Sequence, residues 1–221
     1  ATLQAQKFGA DLSAPSEVAS IDAQNGAWSV TLEDGQEVLA RCVLIATGAD
    51  YRRLDVPGRE ELESLGVYYA ATQTELSSCR GYDAVVVGAG NAAGQAAMFL
   101  AEHTSAVHIV MRGPSLGEKM SSYLAGRIER APNIEVHPST VIRRIVGDER
   151  VEAVELESID DRRRWRIETP AVFMFIGAEP RTAWVGDLVE KDAAGFILTG
   201  RAAKSNGWTA SRAVSYTHLT L

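Results

Sequence analysis

The sequence has little cysteine: Cys42 and Cys79 are the only two in 221 residues, too few for a disulfide scaffold or a structural zinc site. Its four histidines are scattered and show no metal-ligand spacing, so no metal is expected. Long apolar runs are missing as well. A membrane-spanning helix needs roughly 18 to 20 apolar residues, and the most apolar stretches here, 85–87 and 172–176, have the length of strands. Positive charge is in short supply, with 22 Lys and Arg against 29 Asp and Glu and a net charge of -7. Most of the surface therefore repels nucleic acid and anionic membranes, and a bound anion needs a local exception. What remains, 46% hydrophobic and 23% charged residues, is the composition of an ordinary globular protein. The cytoplasm is the expected compartment.

Both ends are unusual. Residues 1–8 read as the last turns of an amphipathic helix stopped by Gly9, with nothing upstream for it to pack on, so preceding sequence is expected to be missing. Residues 203–221 lose the alternation that precedes them and close on Ser215-Tyr216-Thr217-His218-Leu219-Thr220-Leu221. That ending resembles read-through of an adaptor, the competing reading being a native edge strand.

Between the ends, strands at 18–21 and 28–32, the Asn25-Gly26 turn, the Asp34-Gly35 hairpin signal and a strand at 38–40 form an antiparallel meander. It feeds a buried strand, 42–45, that runs into Ala46-Thr47-Gly48. From Asp83 strands and helices alternate. The short apolar strand 85–87 precedes an Ala-rich helix, 92–103, with Met98, Phe99 and Leu100 on its buried side, and the strand 107–111 completes a βαβ unit. A helix at 121–131, ended by Pro132-Asn133, and a strand at 134–137 extend the parallel sheet. A second meander follows at 141–146, 151–156 and 165–167, with turns at Gly147-Asp148 and 159–162; a buried strand, 171–176, then ends at Gly177. The fold class is α/β: a Rossmann-like nucleotide-binding domain with a parallel sheet and a β-meander.

The chemistry is carried by Gly88-Ala89-Gly90-Asn91-Ala92-Ala93, a G-x-G-x-x-A pattern directly after a buried strand and opening a helix. Gly88 permits the tight turn, Gly90 lets backbone approach a pyrophosphate, and Ala93 keeps helix and strand close. The free amides of the helix N-terminus then face the phosphates. The competing reading is a glycine-rich turn without a ligand. An NAD site places an Asp or Glu at the end of the second strand, whereas an NADP site supplies a cation for the 2′-phosphate. Here the segment is Val107-His108-Ile109-Val110-Met111-Arg112-Gly113, with no carboxylate and one arginine. NADPH is expected, with Arg112 on its phosphate; Ser115 and Lys119 are weaker candidates, and the competing reading of Arg112 is a solvated surface residue.

These residues, together with Ala46-Thr47-Gly48, Pro57-Gly58, Gly66-Val67-Tyr68-Tyr69 and Ile176-Gly177-Ala178-Glu179-Pro180, resemble the thioredoxin-reductase-like branch of the two-dinucleotide flavoprotein reductases. The resemblance runs from about residue 5 to about residue 200 and implies FAD and NADPH as cofactors. It implies an NADPH domain, 69–177, inserted into an incomplete FAD domain of the same type made of 1–68 and 178–202, with 203–221 a loop and non-native tail. The connecting segments would act as a hinge, Thr47 and Gly48 would line the flavin side, and Gly177 would join the cofactor contacts. The other glycine motif and the Gly-Asp segment that hold FAD in such proteins would lie outside this chain, and the whole protein is expected to be a homodimer.

One departure from that family is informative. Thioredoxin reductases carry Cys-Ala-Thr-Cys after the residues matching Tyr69, because electrons pass from flavin into a disulfide. This chain reads Ala70-Ala71-Thr72-Gln73, so both redox positions, Ala70 and Gln73, lack sulfur and no catalytic residue is assigned. Cys79 is expected to be a helix-buried thiol. Residues 70–80, Asn91, 94–97 and 120–124 resemble relatives that lack the cysteine pair, some of which carry a cyclic-nucleotide-binding domain. The expectation is an NADPH-dependent FAD oxidoreductase whose electron acceptor is unknown, the chain alone being inactive. The competing reading is a non-catalytic NADPH-binding or redox-sensing module of a larger protein.

The remaining candidates read as structural. Residues 160–164, Asp-Asp-Arg-Arg-Arg, form a solvated hairpin turn with nearly cancelling charges. His103, His108 and His137 stand singly. Trp28, Trp165 and Trp184 are packing residues, Trp184 being placed to approach the flavin edge.

Overall fold

A computed structural model describes residues 2–199 of the chain. Among them, residues 2–50 and 179–199 form one compact unit and 51–178 a second. The tail set apart by sequence, 203–221, lies outside the described residues.

In the first unit, α1 (Thr2–Lys7) is amphipathic but buries nothing: Leu3 and Phe8 are exposed, and Gly9 stops it at a positive φ. The meander forms as expected from β1 (Val18–Gln24), β2 (Ala27–Leu32) and β3 (Glu37–Ala40), antiparallel in that order. Gln24 pairs with Ala27, so the loop between them is two residues, and Asn25 and Gly26 both take positive φ. That is the primed turn whose twist suits a hairpin. The strand expected at 42–45 does not form. Leu44 is 81% exposed, Cys42 is exposed, and the segment joins none of the sheets among the described residues. A parallel-sheet strand needs neighbours on its backbone donors and acceptors, and apolar sequence alone does not supply them. After it comes the short β4 (Ala49–Tyr51).

The second unit is built on a parallel sheet. Its strands are β5 (Val67–Tyr68), β6 (Ala84–Val87), β7 (Val107–Val110), β8 (Ile134–His137) and β12 (Ala171–Met174), ordered β5-β12-β6-β7-β8. Every neighbouring pair is parallel. Alternate residues bury opposite faces. Val86, Ile109 and Phe173 pack with Ala97 and Leu100 of α3 (Asn91–Ala101) and Leu124 and Ile128 of α4 (Ser122–Ile128). Val85, Val110 and Met174 pack instead with Ile142, Val154 and Ile167 from the meander of β9 (Thr140–Gly147), β10 (Val151–Ser158) and β11 (Arg164–Glu168). Burial on both faces is why these strands read as unbroken apolar runs rather than alternation. Each fully buried side chain of the size of Phe173 contributes about 1.5–3 kcal/mol.

The helices differ in detail from their sequence reading. The buried face of α3 is Ala93, Gly94, Ala96, Ala97 and Leu100; Met98 and Phe99 are only half-buried, because they fall off the i, i+3, i+4, i+7 stripe that Ala93, Ala96, Ala97 and Leu100 form. α4 stops at Ile128 rather than 131. The short α2 (Gln73–Leu76) starts at Thr72, whose hydroxyl accepts from the Thr74 N–H while Glu75 reaches back to the Thr72 N–H, a capping box. The packed unit also takes in residues 51–68, since Leu62 and Val67 are buried with the meander core. Finally β13 (Ala178–Pro180) pairs with β4, the two strands being where the chain passes between the units. No helix among the described residues is long and apolar enough to cross a membrane.

Candidate functional site

The site grows from the carboxyl end of β6. Gly88 follows directly, its N–H donating to the Val110 carbonyl at 3.0 Å, while the Phe175 N–H donates to the Val87 carbonyl at 2.8 Å. Gly88 is therefore held between the ends of β7 and β12. Its φ is +141°, and a Cβ there would run into the Phe175 carbonyl oxygen and lie 3.3 Å from the Ala93 Cβ. Only glycine satisfies both conditions. Gly90 differs: it caps α3 with φ -86°, and a Cβ would meet nothing within 4 Å. A side chain at Gly90 would therefore project into open space.

Ala93 is fully buried and keeps α3 against the turn, while Asn91 and Ala92 are exposed in the first turn of the helix. The amides of that turn have no helical acceptor, and the helix dipole adds positive potential there. The Asn91 side-chain oxygen accepts from the Ser121 N–H at 2.8 Å, tying the start of α3 to the start of α4. Gly94 completes that contact, since a Cβ would lie 2.7 Å from both the Leu124 Cδ2 and the Met120 Cε. Arg112 follows Met111 at the end of β7, exposed, with no ion pair to any described residue; Ser115 and Lys119 are exposed on the same loop. The structure thus brings Gly88, Gly90, Asn91, Ala92 and Ala93 together at one end of the sheet, with Arg112 leaving the adjacent strand.

The other predicted residues lie elsewhere. Thr47 donates through its hydroxyl to the Arg181 carbonyl at 2.7 Å, and the Arg181 N–H donates to the Gly48 carbonyl at 3.2 Å. The Arg181 guanidinium pairs with Asp50 at 2.5 and 3.0 Å, so this loop of the first unit is braced. Gly177, at φ +106°, accepts the Arg52 N–H at 3.0 Å. Trp184 is half-buried and its indole N–H donates to the Arg181 carbonyl at 3.1 Å.

Ala70 and Gln73 are exposed at the start of α2. Cys79 is fully buried, in the turn after α2 rather than inside a helix, with its thiol directed at the Leu76 carbonyl at 3.7 Å. Burial pushes its pKa up to about 11, so it stays a thiol at neutral pH and is a poor nucleophile.

Two groupings escaped the sequence reading. Glu157 on β10 accepts from Arg143 at 2.7 Å, Arg162 at 3.0 Å and Arg164 at 2.7 Å, so two arginines of the supposedly solvated hairpin clasp a covered carboxylate. Hydrogen bonds from all three hold its pKa down at about 2. His108 and His137 do not stand singly either: His108 Nδ1 lies 3.1 Å from His137 Nε2, with Glu135 beside both. They are 29 residues apart in sequence and adjacent only because β7 and β8 pair. The available signal was Glu135-x-His137, two side chains on one face of a strand.

Residues 3–206 match the sequence profile of the pyridine nucleotide-disulphide oxidoreductases. The chain is 32% identical over 196 residues to the thioredoxin reductase of Treponema pallidum (strain Nichols), covering 89% of this chain and 62% of that protein. It is 31% identical over 204 residues to the bifunctional thioredoxin reductase/thioredoxin of Mycobacterium leprae (strain TN), covering 92% and 44%. The solved thioredoxin reductase from Giardia duodenalis superposes with a TM-score of 0.74 at 28% identity, over 90% of this chain and 64% of that one. The chain spans less than two thirds of the length of each of these proteins. By sequence and by its thioredoxin-reductase-like α/β fold, the chain belongs to the pyridine nucleotide-disulphide oxidoreductase family.

Proposed function

We propose that this chain binds NADPH at the Gly88–Ala93 turn and that, within its whole protein, it serves an FAD-dependent oxidoreductase. The observation that carries the reading is the open backbone at Gly90 beside a turn that only Gly88 can make, with a cation and no carboxylate leaving the next strand. A pyrophosphate fits there: the first-turn amides of α3 donate to its oxygens, and Gly90 lets them approach without a side chain in the way. Arg112 pairs with the 2′-phosphate, a contact NADH lacks. Asn91 fixes the α3 start against Ser121 rather than meeting the ligand through its side-chain oxygen.

FAD enters through the family, not through a cradle among the described residues. Their one glycine turn of this kind is assigned to NADPH, and the Thr47 hydroxyl is already committed to Arg181. Thr47, Gly48 and Gly177 are assigned to the flavin side as loop positions only, and no step is derived through the flavin. When both cofactors are bound, the family's chemistry is hydride transfer from nicotinamide to flavin; the protein's part is orientation and electrostatics.

The electron acceptor is not a disulfide reached through this chain, since it contains no Cys-x-x-C and Cys79 is a lone buried thiol. The test is on the whole protein. Flavin absorbance that bleaches with NADPH, without turnover of thioredoxin, supports the reading. Robust NADPH-driven thioredoxin reduction contradicts the lost relay, and colourless protein that binds NADPH makes this a sensor module instead of an enzyme.

A further inference from the structure

We propose that His108, Glu135 and His137 form a three-ligand binding site for a divalent transition metal, Zn2+, on the meander face of the parallel sheet. The register of β7 and β8 sets it up: His108 lies opposite Glu135 and Val110 opposite His137, so all three ligand side chains share one face with the buried Val110. His108 Nδ1 is 3.1 Å from His137 Nε2 and 3.5 Å from Glu135 Oε2; His137 Nε2 is 3.8 Å from Glu135 Oε1. Ligands about 2.0–2.1 Å from a tetrahedral Zn2+ lie about 3.3–3.4 Å apart. The three groups therefore stand close to coordination spacing before any ion enters.

Their surroundings fit the chemistry. Both imidazoles have side chains 12% exposed, whereas Glu135 is 65% exposed, which leaves a route from solvent and room for a fourth ligand such as water. The His137 ring lies 6.0 Å from the Trp165 ring of β11, which limits its rotation. On the far side of His108, Nε2 faces the Asp83 carboxylate at 3.5 Å. A carboxylate behind a ligating imidazole fixes its tautomer and raises its basicity. Two neutral histidines and one carboxylate leave a bound Zn2+ with one net positive charge, and Asp83 offsets it. Imidazole nitrogens with a single carboxylate suit Zn2+ better than Ca2+ or Mg2+, which prefer all-oxygen shells.

The site is tested by titrating the metal-free chain with Zn2+ by calorimetry and with Co2+ by visible absorption. One ion per chain is expected, with the intense d–d bands of tetrahedral Co2+ and a rise in Tm. His137→Ala and Glu135→Gln each weaken binding by about tenfold or more, and Asp83→Asn by about 10–100-fold, the range for groups behind a metal ligand. Glu135 is exposed, so Glu135→Gln keeps the test valid if a histidine variant fails to fold. His103→Ala, which removes a ring packed on Phe99 away from the cluster, leaves binding unchanged. Absence of binding, or binding that survives both Glu135→Gln and His137→Ala unaltered, overturns the proposal.

Discussion

The Phe175 carbonyl oxygen, just past the end of β12, occupies the space that a Cβ on Gly88 would need. The contact ties the Gly88 turn to the centre of the sheet, and it separates two glycines that a motif treats alike. Gly88→Ala has to abandon φ +141° or displace β12, at a cost of roughly 1–3 kcal/mol from the backbone alone. Gly90→Ala meets no protein atom. Urea unfolding is expected to show a clear stability loss for Gly88→Ala and less than about 1 kcal/mol for Gly90→Ala. Isothermal titration is expected to show Gly90→Ala losing NADPH affinity nonetheless.

Arg112 provides the second prediction. A charge-assisted contact with the 2′-phosphate contributes about 1.5–3 kcal/mol, equivalent to about 10–100-fold in affinity. Arg112→Ala should weaken NADPH binding by that factor and leave NADH binding nearly unchanged, read as two dissociation constants on the same protein. An equal loss for both nucleotides would remove Arg112 from the 2′-phosphate.

The two cysteines should separate by reactivity. Cys42 is exposed, whereas Cys79 is buried and held as a thiol by its raised pKa. A disulfide reagent at pH 8 is expected to titrate one thiol per native chain and two after denaturation. Rapid reaction of both in the native state would restore Cys79 as a redox candidate.

Glu157 sets an acid limit. Its folded pKa is depressed, to about 2, by Arg143, Arg164 and Arg162, while an unfolded Glu titrates near about 4.3. The stabilisation it supplies is therefore full above the unfolded value and disappears as pH falls toward 2. Thermal unfolding from pH 6 to pH 2 should show a steeper loss of Tm in the native sequence than in Glu157→Gln, where this contribution is absent throughout.

The βαβ unit was legible because it depends on local chemistry. A run such as Ala84–Val87, buried on both faces, announces a central parallel strand, and Gly88, Gly90 and Ala93 mark the turn that follows. Asn25-Gly26 announced the first hairpin in the same way. Where the sequence reading departed from the structure, the missing information was non-local. Cys42 to Ile45 has strand composition but joins no sheet among the described residues. Glu157 is clasped by Arg162 and Arg164 because β10 and β11 pair, which turns charges that nearly cancel on paper into a bonded cluster. His108 and His137 meet through strand register across an intervening helix, and no spacing rule contains that distance.

The most direct test of the nucleotide site is a calorimetric titration of the intact 221-residue chain with NADPH and, in parallel, with NADH. One NADPH is expected per chain, bound about tenfold or more tighter than NADH. No heat with either nucleotide, or tighter binding of NADH, would contradict that expectation.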